Sequence, residues 1–408
     1  MLGNRDTRIR FIKEYRNKFK KLYKVIRQRK IKAEKEKFIK SFIENLNNIK
    51  SNKSKDMVFL FSGTTFVQEK RGNRPIRLTN AWTAMGIPVI FSYYRWNIYE
   101  DIPKNTQENL YQLPIDYTLE IMDKLIEYDF GDKNKVFIVS FPYPELVRYI
   151  SKLQLNGWKV IYDVRDNWEE FHKVGMAKWY NESSEKFFVA NSDVVCAVAK
   201  PLVDKMQQYT ENKKILLSPN ALDEKFLNYC KGDKQRKENN TIKIGYVGHL
   251  SSGWFDWESL IKIAKTRSNW IFEIIGHFEP KGMILPNNVV LLGSKTHDEI
   301  KDYAQHWNVA IIPFKISKLS DCVDPIKVYE YLAMGLPVVS FRMPQIHDYP
   351  YVFIANNSDE FILKIEEAIS TDVDYDKVLS FLHRNTWRIR AKEIINYTNE
   401  IRTYSHFI

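Results

Sequence analysis

Residues Asp324 to Val339 read DPIKVYEYLAMGLPVV. The pattern predicts a helix entered at Pro325 and closed at Gly335, followed directly by a buried strand. Asp324 is placed to cap the helix N-terminus, and proline is well tolerated at the first helical position. Tyr329, Leu332 and Ala333 share one apolar face. Lys327 and Glu330, three apart, project from a neighbouring stripe near the helix start. A helix N-terminus carries partial positive charge and free N–H groups, which favour a phosphate. Lys327 adds a point charge to that anion site, and Glu330 is able to accept hydrogen bonds from sugar hydroxyls. A nucleotide-sugar ligand needs both, although an ordinary amphipathic helix with a solvated Lys and Glu has the same pattern.

The rhythm around this stretch is α/β. Short apolar runs predict strands at Met57–Phe61, Ile87–Phe91, Lys135–Val139, Trp158–Tyr162, Asp193–Ala197 and Lys214–Leu217. A second set falls at Ile242–Val247, Trp270–Ile275, Asn288–Leu292, Asn308–Ile312, Pro337–Phe341 and Tyr351–Ile354. Helical patterns between most of them imply parallel strands with crossover helices. Six and six predict two Rossmann-like domains, at residues 56–225 and 240–383, with the polar run NYCKGDKQRKENN between them. Ligands of such sheets lie off the carboxyl ends of the strands, so the expected site is a cleft between facing domains. Residues 384–408 read as a helix with Trp387, Ile389, Ile394, Ile395 and Tyr397 as apolar contacts.

A chain of 408 residues suits two domains plus an appendage. No apolar run approaches the ~20 residues that span a bilayer, and the charged N-terminus has no apolar segment behind it. Cys196, Cys230 and Cys322 lie too far apart for a disulfide framework or metal cluster, and Cys196 reads as core. The expected location is the cytoplasm. Net charge is +12, but residues 1–55 hold 19 Lys+Arg against 5 Asp+Glu, so the rest of the chain is close to neutral. Ile12, Tyr15, Phe19, Leu22, Tyr23 and Ile26 recur there at helical spacing among Lys and Arg. Such a basic amphipathic helix fits an anionic membrane surface, or packing against a partner or a second copy of the chain. Nucleic acid is a poor fit, because the remainder is neutral and carries no base-reading motif.

The segment DPIKVYEYLAMGLPVVS resembles the donor site of GT-B glycosyltransferases, in the group-1/family-4-like branch that builds capsules and cell-wall polysaccharides. The resemblance implies that Glu330 binds the donor ribose. IGYVGHLSSGWFDWESL is similar to the opening of the donor site, with Gly245 and Gly248 letting the backbone approach a diphosphate. His249 follows where relatives carry an Arg, and it either hydrogen-bonds the ligand or caps the turn. NVVLLGSKTHDEI and NVAIIPFK resemble blocks in which the backbone around Leu292 and Gly293 meets the base. The family pairs two glutamates with seven residues between them; counting back from Glu330, the first falls on Cys322. Asp321 and Asp324 flank that position out of register, which leaves retaining and inverting transfer both open.

In the first domain, QEKRGNRPIRLTNAWTAMGIPVIF resembles the entry segment of bacterial relatives, with Arg74 and Arg77 starting a helix on the acceptor side of the cleft. KVIYDVRDNWEEF resembles segments whose acidic residues face the cleft. An inverting enzyme needs a base for the acceptor hydroxyl, and Asp166, then Asp163, are the candidates. Both also suit structural roles, as a helix start and a loop cap. Over residues 57–400 the resemblance implies a glycosyltransferase that moves a sugar from a nucleotide diphosphate sugar to a lipid-linked or polysaccharide acceptor at the inner membrane face. It implies no metal and no other cofactor. A non-catalytic sugar-nucleotide-binding scaffold subunit is the alternative.

Overall fold

The computed structural model describes residue 29 and residues 31–404, except 70–71, 98–99, 101 and 232–240. Two parallel sheets organise it. The first contains β1 (Asp56–Phe61), β2 (Val89–Tyr93), β3 (Leu110–Pro114), β4 (Asn134–Val139), β5 (Trp158–Val164), β6 (Val194–Ala197) and β7 (Leu216–Leu217), in the order β3-β2-β1-β4-β5-β6-β7. The second contains β8 (Lys243–His249), β9 (Ile271–His277), β10 (Val289–Gly293), β11 (Val309–Ile312), β12 (Val338–Phe341) and β13 (Val352–Ala355), in the order β10-β9-β8-β11-β12-β13. Each sheet starts at its centre and changes direction beside its first strand. That is the point where an open parallel sheet leaves a crevice at its carboxyl edge.

Strands such as DMVFLF and WKVIYDV are apolar along almost their whole length because helices cover both faces of the sheet. β3 has no counterpart in the sequence reading. Its segment LYQLP carries Gln112 and Pro114, which break an apolar run, yet Gln112 is buried and accepts the Val67 N–H at 2.9 Å. Pro114 is tolerated because β3 lies at the edge of the sheet.

The last helix, Trp387–Tyr404, returns to the first sheet. Trp387, Ala391, Ile394 and Ile395 are buried in one cluster with Val58 and Leu60 of β1. The Trp82 indole N–H, on helix Arg74–Ala84, donates to the Ala391 carbonyl at 2.9 Å.

At the other end, residues 31–51 form a helix that is part of the first domain, not a free arm. Phe42, Leu46 and Ile49 are buried together with Met57 and Phe59. Phe38 stacks near Tyr117 at 5.8 Å, and Lys35 pairs with Glu120. The apolar series Ile12 to Ile26 lies outside the described residues, so only part of the 1–55 extension can be placed. Among the described residues no helix is long and apolar enough to cross a membrane.

If helix 31–51 is core, Leu46→Ala leaves a cavity and lowers unfolding free energy by about 3 kcal/mol. Urea unfolding measures this. A shift below about 0.5 kcal/mol, the size expected of a surface substitution, would show that the helix contributes nothing to the first domain.

Candidate functional site

One cleft of about 400 Å³ collects residues that follow strand ends in both sheets. On the second domain's side, Gly248 lies near the end of β8, and Ile326, Lys327 and Glu330 belong to the helix Ile326–Ala333 after β11. The helix therefore presents its electropositive N-terminal end to the cleft. Lys327 Nζ donates to the Tyr246 hydroxyl at 3.0 Å and lies 4.5 and 4.6 Å from the Tyr246 and Phe314 ring centres. Burial pushes its ammonium down to about 7, against the pull of Glu330. Gly248 sits at φ +153°, and a Cβ there would come within 2.5 Å of Nζ. Glycine at this position is what leaves room for the lysine head. Burial raises the Glu330 carboxyl, opposed first by Arg77, whose Nη2 is 3.7 Å from Glu330 Oε1. Arg77 also pairs with Asp223 at 2.7 Å.

Several expected donor-site residues have other roles. Asp324 does not cap the helix: the N-cap is Pro325, with no side-chain cap. The buried Asp324 carboxylate instead accepts from the Asn220 backbone N–H at 2.6 Å and from the Tyr329 and Tyr349 hydroxyls at 2.9 and 3.1 Å. Its edge still lines the cleft. Gly245 serves packing rather than a phosphate, since a Cβ would fall 1.9 Å from the Trp307 indole. His249 caps its own turn, Nδ1 accepting the Ser251 N–H at 3.3 Å, and it does not line the cleft. Leu292 and Gly293 sit at the end of edge strand β10, two strands from β8, also outside this cleft. Cys322, where the family pattern has its first glutamate, is buried against Asn167, whose amide donates to Sγ at 3.4 Å.

On the first domain's side, Asn73 caps helix Arg74–Ala84 by accepting the Ile76 N–H, which sets Arg74 and Arg77 at the cleft. Arg74 is only 3% exposed and grips Asp163 with Nε at 2.9 Å and Nη2 at 2.9 Å. It also donates to Ser218 Oγ at 2.9 Å and the Pro219 carbonyl at 3.0 Å. Asp163 is thus one half of a buried bidentate ion pair. It also accepts from Cys196 Sγ at 3.4 Å and does not line the cleft, which removes it as a proton acceptor. Asp166 differs. It lines the cleft, and among the described residues its ion-pair partner is Arg165, at 3.8 Å. Burial raises its carboxyl to about 6; Arg165 opposes this and Asp163 adds to it.

Polar cleft residues that escaped the sequence reading include Arg165, Asn220 and His297. His297 opens helix His297–Ala304, behind a Thr296–Glu299 capping box that is visible in the sequence as THDE. Burial lowers its imidazole, helped by Lys225 and Arg77, so it is neutral at neutral pH. Together the cleft offers a half-buried lysine and a helix N-terminus able to meet an anion, a carboxylate able to accept from hydroxyl groups, and a second carboxylate across the domain boundary. Among the described residues no group of three or more His, Cys, Asp or Glu is placed to hold a metal ion.

Residues 241–371 match a family model described as glycosyl transferases group 1. TuaH of Bacillus subtilis (strain 168), which carries the description of a teichuronic acid biosynthesis glycosyltransferase, is 26% identical over 172 residues. That match covers 38% of this chain and 43% of TuaH, less than half of the relative's length. Among solved structures, Alr3699/HepE of Anabaena in complex with UDP-glucose superposes with a TM-score of 0.55 at 13% identity, covering 86% of this chain and 100% of that one. The alpha,alpha-trehalose 6-phosphate synthase of Burkholderia multivorans gives a TM-score of 0.58 at 9% identity, over 86% and 100% of the two chains. Identities this low show shared fold, not shared chemistry. The second domain thus matches the group 1 glycosyl transferase model, and 86% of the chain shares the two-domain GT-B fold of these solved structures.

Proposed function

We propose that the chain transfers a sugar from a nucleotide diphosphate sugar to a hydroxyl of a glycan acceptor, lipid-linked or polymeric. The observation that carries this reading is the placement of Lys327 and Glu330 on one short helix, opening through Gly248 into a cleft whose far wall holds Asp166. The group 1 match of the same domain supports it, as do the description of TuaH and the UDP-glucose held by the Anabaena structure. In this reading Glu330 accepts hydrogen bonds from the donor ribose. Lys327 and the helix N-terminus meet the negative charge that grows on the departing diphosphate, so the transfer calls on no resident metal. Charge stabilisation of this kind is worth more in a desolvated cleft than in water. Asp166 takes the proton of the acceptor hydroxyl, which makes the transfer an inverting one. The excess positive charge of residues 1–55 supports attachment to an anionic membrane surface. With the apolar face of 31–51 packed on the first domain, residues 1–28 would carry that attachment.

Calorimetric titration of the purified protein with UDP, GDP and dTDP tests the donor site. One nucleotide binds saturably, and Glu330→Ala weakens it by about tenfold or more. Failure of all three to bind the wild-type chain would sink the reading and favour a scaffold role. Kinetics separate the two aspartates. Asp166→Asn lowers kcat by about a hundredfold or more with nucleotide affinity retained. A base must be unprotonated, so the wild-type rate falls as pH drops through about 6, and that limb disappears in the variant. Asp163→Asn keeps the pH profile but strands a buried guanidinium, lowering unfolding free energy by about 3 kcal/mol. An unchanged rate and pH profile in Asp166→Asn would remove it as the base.

A further inference from the structure

A second concavity, of about 540 Å³, opens on the same edge of the first sheet as the cleft. Tyr94 and Arg95 follow β2, Asp116 and Glu120 follow β3, and Tyr143 and Glu145 follow β4. The cleft residues of this domain follow β1, β5 and β7, so neighbouring strand ends lead from the concavity to Asp166. Exposed aromatic rings stand beside the concavity. Trp96 and Tyr94 stand 73% and 44% exposed, in edge-to-face contact at 5.3 Å. Beneath the surface, Tyr143 packs on the buried Phe141 at 5.5 Å, and Phe141 lies 6.5 Å from the buried Trp168, two residues beyond Asp166, so the concavity and the Asp166 segment share one packed floor.

Large rings this exposed stand out against a protein surface and mark contact sites. The groups beside them narrow the ligand. Arg95 is fixed by Asp116, with Nε at 3.1 Å and Nη2 at 2.5 Å, and lies 4.7 Å from the Tyr117 ring centre. Glu145 accepts from the Tyr143 hydroxyl at 3.3 Å. Asp116, Glu120 and Glu145 are balanced by Arg95, Arg148 and the Lys35 that pairs with Glu120, so the concavity has no excess positive charge to draw a phospholipid surface or a nucleic acid, both of which are anionic. A saccharide suits the mixture: the C–H faces of a pyranose lie flat on aromatic rings, while its hydroxyls bond to carboxylates and a guanidinium.

We propose that this concavity holds the distal sugar units of an extended saccharide acceptor whose terminal hydroxyl reaches the Asp166 cleft. The proposal rests on the glycosyltransferase reading and adds to it that the acceptor is recognised over several sugars, at a site apart from the reacting one.

The test applies the full-length chain to an array of bacterial oligosaccharides running from disaccharides to longer oligomers, alongside a double variant, Tyr94→Ala with Trp96→Ala. Both side chains are exposed, so the fold is retained, and an unchanged nucleotide titration confirms it. The expected result is glycan binding that tightens with chain length and weakens about tenfold or more in the double variant. Equal glycan binding by wild type and variant would overturn the proposal. So would a wild-type chain that binds a nucleotide but no glycan, an outcome that leaves the glycosyltransferase reading standing. Binding neither would fail both. Capture of phosphatidylglycerol vesicles through Trp96 would assign the face to a membrane and overturn the proposal as well.

Discussion

The guanidinium of Arg74 is the junction on which the site depends. It is buried at the start of a helix, held in a two-point grip by Asp163 on β5, and hydrogen-bonded to the loop after β7. The next residue of that loop, Asn220, binds the Asp324 carboxylate through its backbone N–H and the Asp324 carbonyl through its side chain, each at 2.6 Å. Asp324 in turn holds Tyr329 and Tyr349. A continuous polar chain thus runs from the middle of the first sheet into the second. Buried charges persist only when partnered, and satisfying these brings the helix that carries Arg77 up to the helix that carries Lys327 and Glu330.

What remains in the cleft after that pairing is a set of groups in electrostatic tension. Desolvation weakens the positive charge of Lys327 and the negative charges of Glu330 and Asp166, each away from its ordinary range. Perturbation of several groups around one concavity is typical of a functional site. Lys327 is supported by two aromatic faces and a tyrosine hydroxyl, and among the described residues the carboxylate that acts on it is Glu330, its neighbour on the helix. A diphosphate would supply the missing countercharge. Glu330 lies between Lys327 and Arg77 of the opposite domain, so this one carboxylate bridges the two domains.

Much of the fold was legible because parallel strands covered on both faces are nearly continuous apolar runs. Among the described residues, twelve of the thirteen strands coincide with such runs, at shifted ends. β3 was not legible, since its burial of Gln112 rests on a hydrogen bond to a distant backbone N–H. The candidate site was legible where a residue's role follows from its local element. Lys327 and Glu330 share a helix stripe, and Arg74 and Arg77 start a capped helix. It was misread where the role depends on a distant partner. Gly245 answers to Trp307, and helix 31–51 answers to β1.

By itself the sequence determined the α/β order, the phosphate-favouring helix start at residues 324–330, and the concentration of positive charge in residues 1–55, because these depend on periodicity and composition along the chain. Only the tertiary structure decided how the acidic residues divide. Asp163 and Asp166 are three positions apart on one segment and look equivalent in the sequence. One meets a guanidinium from a helix 89 residues away and is neutralised by it, while the other is left facing the cleft with its proton affinity raised. Which carboxylate finds a partner is a matter of long-range packing, and no local pattern records it.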